Sequence, residues 1–319
     1  MMPRISKMIS IICCAFLLVS CTADNTASSW DLTSKQIDII RGAHPGRYPA
    51  VAKDRGNTLV VGSTDFNGVF NPIIAETAYD ITAATNIFGS LLEPDFDAKP
   101  IAGMADYIIS EDGLTYTLTL KKGIIFSSGQ PVTTKDIEFT LYVLCDPSYN
   151  GSIDICSINI VGYDEYHLGN AKNISGISIV NDETIEIKLE KPDAQAIWCF
   201  SSGVLSREYY GKDFTKGKLE GNRNLFDKPM GAGPYKMVEY KLGERITLAA
   251  NEQYYKGVPK IADIVYSVSP LGQELDRVKN GEADIDFPTV NPQNNTLIGR
   301  PSWTKRWIKQ RICILWHGA

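Results

Sequence analysis

Leu114, Tyr116, Leu118 and Leu120 alternate with Thr115, Thr117 and Thr119. Successive side chains of a strand point to opposite faces, so this stretch reads as a strand with one apolar and one polar face. Ile185, Ile187 and Leu189 alternate with Thr184, Glu186 and Lys188 in the same way. A sheet built from such strands must lay its apolar face against another layer. Two segments read as helices. Thr77-x-x-Asp80 precedes the apolar-periodic Ile81–Leu92, and Thr133-x-x-Asp136 opens Ile137–Leu144, which Asp146-Pro147 stops. In each box a Thr hydroxyl can cap the first amides and an Asp suits the positive end of the helix dipole. Further strands are predicted at 58–62, 245–249 and 264–268, and a short helix over Leu275–Lys279 ends at Gly281. Strands and helices mix without a strict βαβ rhythm, so the predicted class is α/β with mixed α+β sheets.

The amino terminus reads as an address. Arg4 and Lys7 precede the apolar run Met8–Val19, which is too short to span a bilayer and fits a secretory signal over 1–20. Leu18-Val-Ser-Cys21 follows and resembles a bacterial lipobox, which makes Cys21 the lipidated first residue of the mature chain. Residues 21–57 are polar, carry Pro45, Pro49, Gly42, Gly46 and Gly56, and read as a tether with room for a short helix over 30–40. The body of the fold is expected from Thr58.

Charge and motifs exclude several classes. With 32 basic and 37 acidic side chains the formal charge is −5, which does not suit a nucleic-acid groove. His44, His167 and His317 form no local pair with metal-ligand spacing, so neither a metal nor a cofactor is expected. No G-x-S-x-G, H-E-x-x-H or Walker A sequence occurs, and no catalytic residue is assigned. Gly231-Ala-Gly233 lacks the third glycine of a dinucleotide fingerprint and reads as a tight turn entering a strand. Cys145, Cys156, Cys199 and Cys313 show no C-x-x-C spacing. Cys145 and Cys156 are left open between a pair and buried free thiols.

Several ordered blocks then carry a resemblance. Ile87-Phe-Gly-Ser-Leu-Leu-Glu-Pro94, Ser110-Glu-Asp-Gly-Leu-Thr-Tyr-Thr-Leu-Thr-Leu-Lys-Lys-Gly123 and Phe126-Ser-Ser-Gly-Gln-Pro-Val-Thr-Thr-Lys-Asp-Ile137 come first. Gly231-Ala-Gly-Pro-Tyr-Lys236, Asn251-Glu-Gln-Tyr-Tyr-Lys-Gly-Val-Pro259 and Gly281-Glu-Ala-Asp-Ile-Asp286 follow. Over about residues 58–287 this order resembles the family 5 extracellular solute-binding proteins, the oligopeptide, dipeptide and nickel receptors of ABC importers. Asp106-Tyr107 stands where the family usually has a Trp, and Lys121 replaces a usual Arg.

The resemblance implies lobe I of a type II periplasmic-binding-protein fold. It assigns 58–88 and 206–287 to the lobe I core, 89–205 to an inserted subdomain, and Val268-Ser-Pro270 to the approach to the interlobe connection. It implies a lipid-anchored extracytoplasmic receptor whose partners are a peptide or related small solute and importer permease subunits. By the same likeness Glu76, Thr77 and Ala78 pair with ligand, and Tyr149, Asn150 and Ser152 lie in a cleft-facing loop. Lobe II is missing from this reading, which leaves half a cleft and an apolar face uncovered. Residues 288–319 hold no carboxylate but Trp303, Trp307 and Trp316 with five basic side chains, and read as a divergent, frameshifted tail in preference to a basic segment lying on lipid. The alternative function is a non-transporting truncated lipoprotein, either an adhesion or signalling module or a gene remnant.

Overall fold

A computed structural model describes residues 49–212, 214–220 and 227–287. Cys21, the signal, the greater part of the tether and the segment 288–319 lie outside the described residues, as do His44, His317 and Cys313.

The chain opens with helix α1 (Ala50–Asp54) and strand β1 (Thr58–Ser63). Helix α2 (Ala78–Phe88) leads to a hairpin of β2 (Leu92–Pro94) and β3 (Pro100–Ala102). Next come β4 (Ala105–Ile109), β5 (Thr115–Leu120), α3 (Thr134–Leu144) and a single 3-10 turn at Cys156–Ile158. α4 (Tyr163–His167), β6 (Ile177–Ile179), β7 (Thr184–Lys188), α5 (Ala196–Cys199) and α6 (Arg207–Tyr210) complete the middle. β8 (Tyr235–Lys241), β9 (Arg245–Ala250), β10 (Asp263–Val268) and α7 (Glu274–Asn280) close the described chain.

Two four-stranded sheets result. The first has order β1-β10-β9-β8, with β1 parallel to β10 and the other pairs antiparallel. The second, β4-β5-β7-β6, is antiparallel throughout. The predicted alternation holds in it: Tyr116, Leu118 and Leu120 are buried, and their Thr neighbours are half-buried. β1 instead buries consecutive residues, Val60 to Ser63, as a parallel strand covered on both faces does. Its far edge is joined by Ile285 in a parallel bridge, with Gly62 N–H donating to Ile285 O at 2.7 Å. Phe88, Leu118, Ile137, Ile187, Phe200, Tyr210 and Leu248 belong to one continuous core that draws on both sheets.

Several expectations need correction. α2 ends at Phe88, not Leu92, because Gly89 takes φ +68° and turns the chain out of the helix, freeing Leu92 to start β2. Gly231 and Gly233 lead through a bend into β8, as the turn reading expected. They are small because they pass against the end of α2: a Cβ on Gly231 would stand 2.6 Å from Phe88 Cα, and one on Gly233 2.5 Å from Asn86 O. Within the span read as tether, α1 is helical and Arg55 is bound to the body. Arg55 donates to Asp284 Oδ1 at 2.5 Å and to Gly281 O, while Asp284 Oδ2 accepts from Val60 N–H at 2.8 Å.

Candidate functional site

Residues 64–77 run from β1 to α2 as an irregular shelf. Asn71 shapes it: its Oδ1 accepts from Ile73 N–H at 3.1 Å and its carbonyl from Ala75 N–H at 2.9 Å. Asp80, buried in the first turn of α2, accepts from Asn67 N–H at 3.1 Å. Phe66 meets Tyr79 edge to face, and Phe70 meets Tyr240 likewise. Ile73 and Ile74 are thereby buried, while Glu76 and Ala78 stand in solvent and Thr77 is half-buried. The Thr77 hydroxyl oxygen accepts from Asp80 N–H at 3.2 Å, so its capping role is filled.

A second loop, 146–155, lies on that shelf. Buried Asp146 organises its base, with Oδ1 accepting from Ser148 N–H at 2.8 Å and Oδ2 from Gly217 N–H at 2.9 Å. Tyr149 donates its phenol to Ile73 O at 2.7 Å and accepts from Ile153 N–H at 3.2 Å. Burial pushes the Tyr149 phenol up to about 12, so at neutral pH it is a protonated donor. A Cβ on Gly151 would collide with Ile73 O and the Tyr149 ring, so the loop can lie this close only with glycine there. Asn150 and Ser152 are exposed.

The structure therefore brings the two candidate segments together. Ile73, three residues before Glu76, is the joint between them. Glu76, Ala78, Asn150 and Ser152 present themselves on the surface, whereas Tyr149 spends its hydroxyl on main-chain groups and acts as a strut. Asn71 and Gly151 were not singled out from sequence, and Asp80 and Asp146 were read there only as a helix-start acid and a helix stop. Asp146-Pro-Ser148 carries an Asx-turn signature that could have marked the loop base, but nothing local announces a contact between Tyr149 and Ile73.

What this surface offers is main-chain groups, short polar side chains and one carboxylate. Among the described residues no group of His, Cys, Asp and Glu is placed to hold a metal. His167 stacks on Tyr163, with its Nδ1 facing Cys145 O at 3.3 Å, and is a packing residue. Cys145 and Cys156 are unpaired: Cys145 is buried and Cys156 exposed, and Cys199 is also free. Two surface hollows of about 290 and 560 Å³ lie elsewhere, one beside Phe139 and Arg207, the other beside His167 and Lys216. Neither includes a candidate residue. No helix among the described residues is long and apolar enough to cross a membrane.

A mixed sheet of this order, joined to an antiparallel insert, is the architecture of a lobe of a type II periplasmic-binding protein. Lactococcal OppA, solved closed with an endogenous peptide, superposes with a TM-score of 0.67 at 26% identity, covering 77% of this chain and 48% of that one. Residues 99–301 match the model of the bacterial extracellular solute-binding proteins, family 5 Middle, and the chain belongs to that family. The match runs past Phe287 to 301, so the likeness extends further than the limit read from the motifs. Among curated relatives, the oligopeptide-binding protein OppA of Lactococcus lactis subsp. lactis is 31% identical over 198 residues, 60% of this chain and 33% of that protein. The dipeptide-binding protein DppE of Bacillus subtilis is 26% identical over 280 residues, 86% of this chain and 48% of that protein. The chain thus spans between a third and half of these relatives' length. Both are named as peptide-binding proteins.

Proposed function

We propose that this chain is the solute-capturing component of a bacterial ABC importer, exported, anchored by lipid at Cys21 and non-enzymatic, with peptide as its ligand class. The family match over 99–301 carries the reading. The surface supports it. An extended peptide is recognised by pairing with main-chain groups, and its side chains are accommodated in hydrated space. Exposed Glu76 and Ala78 beside Asn150 and Ser152 offer that combination, on a base stiffened by Tyr149. Permease subunits would then read the ligand-bound state, a difference in affinity shifting an equilibrium with no bond broken.

Hydrogen exchange of the chain from Cys21 onward, with and without a pool of short peptides, tests the proposal. Protection confined to amides around 76–78 and 149–152 is expected. Peptide-dependent protection confined to other segments, or none at saturating peptide, overturns it.

A further inference from the structure

Two thiols sit on one residue of the candidate loop. Cys156, in the 3-10 turn, donates its thiol to Asp154 Oδ1 at 2.8 Å. Cys199, the last residue of α5, donates to Asp154 O at 3.7 Å. They are 43 positions apart in sequence and come from different elements, yet both reach the same aspartate. Cys156 is exposed and Cys199 partly so. Cys145, the other thiol nearby, is fully buried at the end of α3 and has no access to an oxidant from solvent.

We propose that Cys156 and Cys199 form a reversible disulfide that ties the 149–158 loop to α5. The exposed Cys156 thiol loses its proton and attacks a disulfide-bearing oxidant, forming a mixed disulfide and releasing one thiolate. The Cys199 thiolate then attacks the Cys156 sulfur and releases the oxidant's second half as thiolate. Two protein thiols are oxidised to one disulfide, one oxidant disulfide is reduced to two thiols, and the protons pass to water and the leaving thiolates. An oxidising compartment outside the cytoplasm supplies such oxidants. In that respect the physiological role rests on the export proposed above, whereas the chemistry does not.

The surroundings set the pace. The hydrogen bond to the Asp154 carboxylate holds the Cys156 thiol above its ordinary range. Burial, with the charges of Asp154 and Asp193 added, pushes Cys199 up to about 11. Tyr149 and Tyr163 face the same cluster with raised phenols and are neutral at physiological pH. Few thiolates exist at neutral pH, so the pair closes slowly and is a staple and not a catalyst of exchange.

The test treats the purified full chain with oxidised glutathione at graded pH, blocks remaining thiols with iodoacetamide, and maps peptides without reduction. A Cys156–Cys199 linked peptide is expected, lost on treatment with dithiothreitol and forming about tenfold faster per pH unit through the neutral range. Asp154→Asn should accelerate it at pH 7, since the charge that holds Cys156 protonated is gone. Cys145→Ser should leave the linked peptide unchanged, and the melting temperature of the oxidised chain should rise by several degrees. Linkage of either residue to Cys145 or Cys313 instead, or full carbamidomethylation of both after prolonged oxidation, overturns the proposal. The mapping is done on the unsubstituted chain, so it does not depend on any variant folding.

Discussion

Tyr149 is the residue on which the two candidate segments depend. Its hydroxyl gives one hydrogen bond to Ile73 O and takes one from Ile153 N–H. Tyr149→Phe leaves both groups short of a partner in a half-buried place and should cost about 1–2 kcal/mol in urea unfolding. The sign with pH follows from the phenol. Its folded value is raised from 10.0 to about 12, so its contribution is complete below pH 10 and is lost as pH rises through 12. The stability difference between the two proteins should therefore shrink across that window. A second single-atom prediction concerns Gly62. A Cβ there would enter the carboxylate of Asp286, which cannot swing away because it is buried against Arg277 Nη1 at 3.3 Å and accepts from Ser269 Oγ at 2.7 Å. Gly62→Ala should lower stability by about 1–3 kcal/mol, read as a reduced denaturant midpoint.

At the scale of elements, the two Thr-x-x-Asp boxes look alike in sequence and behave differently. In α3 the box is complete: Asp136 Oδ2 accepts from Thr133 N–H at 2.9 Å and from its hydroxyl at 3.0 Å. Asp136 Oδ1 also accepts from Arg207 N–H at 2.8 Å, which fastens α6 to α3. In α2 the Thr77 half is present, but Asp80 turns away to Asn67. Asp136→Ala strips acceptors from two backbone amides and should cost about 2–4 kcal/mol, whereas Thr77→Ala removes one cap and should cost about 1 kcal/mol; thermal denaturation of both checks the ranking. Local pattern announced the starts of α2 and α3 and both strand alternations, since capping and period-2 burial are properties of adjacent residues; the short helices α1, α4, α5 and α6 were not announced. It missed the end of α2, because the Gly89 turn makes the same apolar residues, Leu91 and Leu92, serve a hairpin. It also missed the reason for Gly231 and Gly233, which lies more than 140 positions away in α2.

For the whole molecule, the family was legible because several blocks keep their order over more than 200 residues. The joint between shelf and loop was not, because it is a contact between a side chain and a distant carbonyl that leaves no mark at position 73. The export signal and lipid anchor proposed for the amino terminus make their own prediction. Cys21→Ser should move the chain from the membrane fraction to the soluble fraction, with the diacyl mass lost from the mature amino-terminal peptide. An unchanged distribution would remove the lipid anchor from the proposal.

The Tyr149 hydroxyl bonds only to main-chain groups, while its ring packs against the core. A carbonyl and, proline apart, an amide are present whatever side chains occupy positions 73 and 153, so beside Gly151 the two hydrogen bonds place little demand on those positions. Exposed Glu76, Ala78 and Ser152 can then be varied around a fixed frame. This turns the region into a ready scaffold for libraries: randomising those three positions while keeping Tyr149 and Gly151 should yield diversity in recognition without loss of folding yield.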